Sequence, residues 1–212
     1  MHLPASRFSP GFTLVELLVV LAITAILATL AIPSISGMMR SYQLESTSQM
    51  VVNQLTLARQ TAQTKGYAVQ VRIYQLPDYN QAPNSAPSVY RGMQAFVESS
   101  PSATSTVTIT PITRPSFFQS GTILLGDSTK STLLTLTATT PTTTDPLLPV
   151  YQSNYKYIVF RFLPTGQTDL ANTQNCLTVV MEYAGLTASG LPANFQTIQI
   201  DSINGAIRSF RP

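Results

Sequence analysis

Residues 12–32 read FTLVELLVVLAITAILATLAI, an apolar run whose single charge is Glu16. Wound as an α-helix rising about 1.5 Å per residue, the run would extend roughly 31 Å, the hydrocarbon thickness of a bilayer. A helix packed on one side of a globular core would show a polar stripe, and this stretch is apolar around its whole circumference. A cleaved secretory signal fits no better. The run is longer than the usual apolar region of about 7–15 residues, and no A-x-A-like site closes it, since Ala22, Ala25, Ala28 and Ala31 are spaced by three. The segment is therefore expected to stay in the working protein. A plain anchor would leave Glu16 unexplained: a carboxylate costs on the order of 2.5–3.5 kcal/mol at the centre of a spanning helix and less at Glu16, four residues beyond Phe12 near the cytoplasmic end, yet there too it needs a partner.

Upstream lies a short leader with Arg7, and the junction reads Gly11-Phe12-Thr13-Leu14-Val15-Glu16. This hexapeptide, running into LLVVLAITAILATLAIP, closely resembles the prepilin motif of type IV pilins and type II secretion pseudopilins. The resemblance implies a leader over residues 1–11, removed by a membrane prepilin peptidase that cuts between Gly11 and Phe12, and N-methylation of the new Phe12 amine. Gly11 suits such a cut, having no side chain to hold an extended leader away from the peptidase. Cleavage leaves an ammonium on Phe12, which Glu16 of a neighbouring subunit can neutralise inside a low-dielectric filament core. Glu16 is thus expected to register assembly. Pro33 closes the apolar run and lacks the amide that would bond back to Thr29. In the family a proline here lets the helix bend or locally melt, so a helix break is expected at Pro33.

Beyond it Met38, Met39, Tyr42, Met50, Val51, Leu55, Ala58 and Ala62 recur at helical spacing. Residues 33–66 therefore read as an amphipathic continuation of the helix laid against a sheet, with Gly66 as its C-terminal stop. After Gly66 the period changes to 2: Val69, Val71 and Ile73 alternate with Gln70 and Arg72. Strands are expected at residues 67–74, 93–98, 106–112, 122–125, 132–137, 156–162, 177–183, 197–200 and 206–210. Loops rich in Pro, Asn and Thr are expected at 76–88 and 138–149. The expected fold is α+β: a long N-terminal helix, transmembrane over residues 12–32, packed on a β-rich pilin-like head of short antiparallel strands over residues 67–212.

Three further segments are similar to the H-type minor pseudopilins, the GspH/FimT family. These are Leu55-x-x-Ala58-Arg59-x-x-Ala62-x-x-x-Gly66-x-x-Val69-x-Val71, then Phe162-Leu163-Pro164-Thr165-Gly166, then Asn204-Gly205-Ala206-Ile207-Arg208. Asn-Gly is a strong turn signal in its own right. The length of the head and its Thr-rich loops also resemble Verru_Chthon cassette D proteins, which share the prepilin start.

Only 10% of residues are charged, against roughly 25% in typical soluble domains, which fits an anchored chain with an exported head. The one histidine, His2, lies in the expected leader, so the processed chain would have no imidazole base or ligand. There is no Gly-rich phosphate loop, no G-x-S-x-G and no metal-spaced cluster, so no enzyme, metal or cofactor is expected. Cys176 stands alone, which excludes an intrachain disulfide and reads as a small buried residue. Net charge is +3 from singly scattered bases, which does not favour nucleic acid as a partner. The tail Arg208-Ser209-Phe210-Arg211 does pair cations with an aromatic, so a DNA-uptake minor pilin is the alternative to a protein-export subunit. The resemblance implies other pilin-like subunits, the prepilin peptidase and an inner-membrane assembly platform as partners. It places the chain in the bacterial inner membrane as a single-pass protein assembled in a filament, its head in the periplasm or outside the cell.

Overall fold

The structure, a computed structural model, describes residues 11–99, 108–141, 148–184 and 190–211, with the backbone alone at 29–36 and 184. Apart from Gly11, the expected leader lies outside these residues. So do parts of the expected strand at 106–112 and of the expected loop at 138–149. The chain forms two compact units, Met1–Arg40 and Ser41–Pro212. A helix assigned over Leu14–Lys65, α1, contributes to both. Among the described residues no helix is long and apolar enough to cross a membrane. The described side chains of the apolar run end at Ala28, short of Ile32. The assignment carries on through Pro33, so the missing proline amide removes one hydrogen bond from the helix without ending it.

In the second unit, α1 buries Leu44, Val51, Leu55, Ala58 and Ala62, which recur at steps of three, four and seven and so share one face. Val51, Leu55, Ala58 and Ala62 match the expected stripe. Met38, Met39 and Tyr42 do not; all three are exposed, and on the first turns of this unit Leu44, Thr47 and Ser48 are buried instead. Thr47 is buried at low cost because its hydroxyl bonds that of Thr122 at 2.8 Å and accepts the Gln119 amide at 3.3 Å. The helix ends as expected at Gly66, whose φ of +69° suits a residue without a Cβ and whose amide returns to the Ala62 carbonyl at 3.0 Å.

The sheet comprises β1 (Val69–Leu76), β2 (Val89–Ser99), β3 (Thr108–Pro111), β4 (Ser116–Phe117), β5 (Thr122–Leu124), β6 (Lys156–Phe162), β7 (Asn175–Met181), β8 (Phe195–Ile200) and β9 (Ile207–Phe210). Its order is β6-β1-β2-β5-β7-β8-β9, all pairs antiparallel, with β3 and β4 also paired to β2. Val69, Val71 and Ile73 of β1 join Ile158, Phe160, Leu177, Val179 and Ile198 in the core that includes the helix face. The opposite face of β1 carries Tyr74 and Leu76, which pack with Leu148 and Tyr155 in a second, smaller core. A register shift between Tyr74 and Gln75 sets Tyr74 against Gly92 and Gln75 against Tyr90, skipping Arg91, so β2 bulges there.

One expected strand is absent: residues 132–137 hold a single 3-10 turn, Thr132–Thr135. Consecutive Leu133 and Leu134 are both buried, which a half-buried strand cannot do, and the Ser131 amide is drawn back to Asp127 O at 2.8 Å. The expected strand at 177–183 begins earlier and stops at Met181, where Glu182–Ala184 turns as a 3-10 helix. The short β4 was not expected; a dipeptide after Pro115 has no period to read.

Candidate assembly site

Helix α1 starts one residue after Thr13, whose Oγ accepts the Glu16 amide at 3.2 Å while its carbonyl accepts the Leu17 amide at 3.2 Å. Thr13 is therefore the N-cap, and Thr13-x-x-Glu16 has the spacing of a capping box, with Glu16 in the first turn. A carboxylate there also interacts favourably with the positive end of the helix dipole. Gly11 has open space around it and Phe12 is 74% exposed. The large apolar side chains that follow, Leu14 through Leu27, are all exposed. Thr24 satisfies its hydroxyl within the helix, donating to Leu21 O at 3.0 Å, so it does not break the apolar surface. Glu16 thus sits at the capped start of a helix that presents hydrocarbon on every side, a surface that requires lipid or other apolar helices around it.

The head brings its three family-like segments to one place. Arg59 and Gln63 project from α1 toward the turn at Gly166, where a Cβ would lie 2.5 Å from Gln63 Nε2 and 3.8 Å from Arg59 Nε. That turn is closed by Gly166 N–H to Leu163 O and Leu163 N–H to Gln167 O, both 2.8 Å. A Cβ on Gly205 would run into the Gly166 carbonyl and stand 3.2 Å from Arg59 Nε. Gly166 and Gly205 have φ of +87° and +65°, a region other residues rarely enter. Helix, first turn and last turn therefore interlock through two glycines around one arginine stem.

Residues 7–32 match the prokaryotic N-terminal methylation motif. The chain opens as type IV pilin-like proteins do. No curated protein matches it. Among solved structures it is similar to the minor pseudopilin EpsH from the Type 2 Secretion System of Vibrio cholerae, at 12% identity and a TM-score of 0.42, over 80% of this chain and 98% of that one.

The charged groups of the head are mostly engaged. Arg161 Nε meets Glu98 at 2.8 Å and its Nη1 meets Asp169 at 3.2 Å. Arg211 meets Glu45 at 3.5 Å and donates to Asn194 Oδ1 at 3.1 Å, so one of the two tail arginines is committed to α1. Arg91 donates to Pro77 O at 2.7 Å and lies 4.2 Å over the Tyr79 ring. Burial, reinforced by the neighbouring Asp78 carboxylate, pushes the Glu182 carboxyl above its ordinary range. Among the described residues no group of three or more His, Cys, Asp or Glu could hold a metal ion. Cys176 is buried, its sulfur 3.5 Å from Lys130 O.

Proposed function

We propose that this type IV pilin-like chain is a structural minor pseudopilin or pilin subunit, assembled through its N-terminal helix into a type II secretion-like pseudopilus or related filament for protein export. The observation that carries the reading is Glu16 in the first turn of a helix whose large apolar side chains from Leu14 to Leu27 are all exposed. Prepilin peptidase cuts between Gly11 and Phe12, and the new Phe12 amine is methylated. Methylation keeps the positive charge, so the terminus still has a cation to offer. The helix start holds the subunit in the inner membrane as a single pass, with the head in the periplasm or outside the cell. During extraction by the assembly platform, Glu16 receives the Phe12 ammonium of an adjacent subunit, where removing both charges from water is offset only if they meet.

Mass spectrometry of chain taken from membranes should find a methylated Phe12 terminus, and Glu16→Ala should abolish filament formation while leaving the head folded. A chain still carrying Met1 and His2 in assembled filaments would overturn the reading. A DNA-uptake role has less support, because Arg211 spends its charge on Glu45.

A further inference from the structure

Strand β9 closes one end of the sheet, and among the described residues its outer edge has no backbone partner. It is short and exposed, with Phe210 half-exposed. A cleft of about 400 Å³ opens beside it, lined in part by Asn172, Gln174, Gln199, Asp201, Ser202 and Arg208. Gln199 and Arg208 are cross-strand partners and so stand side by side on one face. The cleft holds one base and one acid. Asp201 Oδ1 already accepts the Ile203 amide at 2.9 Å and the Asn204 amide at 3.4 Å, which compensates its charge locally. Arg208 differs: among the described residues no carboxylate lies within ion-pair distance of it, whereas Arg161 and Arg211 each have one.

We propose that the β9 edge and the adjoining cleft form a docking surface for an extended, acidic segment of a partner protein, which adds as a further strand and seats a carboxylate on Arg208. The open edge of β9 supplies the backbone donors and acceptors that an extended segment needs, and these fix its register. Side chains of the added strand alternate, so those on the Arg208 face stand beside Arg208 at the rim of the cleft. Phe210, two residues along the same face, offers an apolar contact next to the cation. A second copy adding its own β9 is disfavoured on charge grounds. Pairing β9 with itself would bring Arg208 near Arg208, and like charges across a strand pair destabilise it. The proposal extends the filament-subunit reading but does not depend on it, since the docking surface lies wholly on the head.

The test uses the full chain in detergent micelles and two capped synthetic peptides of alternating Thr and Val, one with a central Glu and one with a central Lys. The Glu peptide should slow amide hydrogen exchange in β9 and bind about ten-fold more tightly than the Lys peptide, the discrimination of one well-placed charge-assisted contact. Arg208→Glu should reverse the preference, a result that a misfolded head could not produce, and Glu16→Ala should leave both affinities unchanged. Equal binding of the two peptides, binding without protection of β9, or no reversal in R208E would overturn the proposal. Protection of β9 that rises with protein concentration in the absence of peptide would overturn it too, by making a second copy the occupant.

Discussion

Gly205→Ala tests the interlocking of the two turns with the helix, and its cost can be worked from two separable terms. Gly205 sits at φ +65°, where an L side chain is disfavoured by about 1–2 kcal/mol. The added Cβ also meets the Gly166 carbonyl, a backbone atom in a turn closed by two hydrogen bonds of 2.8 Å, so the neighbour cannot swing aside. Overpacking of that kind costs about 1–3 kcal/mol, giving about 2–5 kcal/mol in all. At about 2–4 °C per kcal/mol for a domain of this size, the melting midpoint should fall by about 4–20 °C. Gly66→Ala supplies the control: Gly66 has nearly the same φ, +69°, with nothing within 4 Å of its Cβ position, so only the first term applies. Urea titrations of both full-length variants in micelles, compared at equal m, separate the two terms. If Gly205→Ala costs no more than Gly66→Ala, the contact with Gly166 is not what holds the turns, and the reasoning is refuted.

Three other outcomes follow from the same structure. Tyr74→Phe leaves the Oε1 of fully buried Gln94 without the 2.7 Å bond it accepts, and should cost about 1–3 kcal/mol by urea titration. Glu182→Gln should flatten part of the stability-versus-pH curve: a carboxyl whose folded pKa is raised holds its proton more tightly when folded. Its contribution is therefore full below the ordinary Glu range and lost as pH rises through the raised value, and the variant should lack that decline. Thr13→Ala should remove about 0.5–2 kcal/mol from the start of α1 and lower filament yield, with head stability unchanged by circular dichroism melting. A yield unaffected by the loss of the cap would mean that the first turn is ordered by neighbouring subunits instead.

Much of the head was legible where a single period dominates. Val51, Leu55, Ala58 and Ala62 announce the buried helix face, and residues 156–162 coincide with β6 because one side of that strand packs on the core throughout. The reading failed where two faces are both covered. β2 runs on past the expected 93–98 through the Arg91 bulge, and a second core of tyrosines hides the outer side of β1, so apolar and polar residues no longer alternate. Tyr42 continues the helical spacing yet is exposed, since periodicity shows which residues share a face and not which of them the sheet covers. At the candidate assembly site the capping box Thr13-x-x-Glu16 stood in the sequence in plain view, masked by the apolar run around it. The meeting of Arg59, Gly166 and Gly205 could not be read at all, because chain separation says nothing about which turns touch.

The position of Glu16 bears on how proposed assembly would reject unprocessed chains. In the free chain its carboxylate is exposed and sits at the positive end of a capped helix, whose dipole stabilises the charge. The lone carboxylate meets its opposite charge only at the proposed step of assembly. A mature neighbour offers the Phe12 ammonium in return. An uncut neighbour offers only the Gly11–Phe12 peptide amide, a neutral donor, and leaves the carboxylate buried without an opposite charge, a penalty of about 3–5 kcal/mol per contact. Each such contact would weaken incorporation by more than a hundred-fold, since 1.4 kcal/mol is a factor of about ten. On this mechanism one acid, placed at the third position of its helix by Thr13, both sets the axial register of a subunit and tests whether the subunit beside it has been cut.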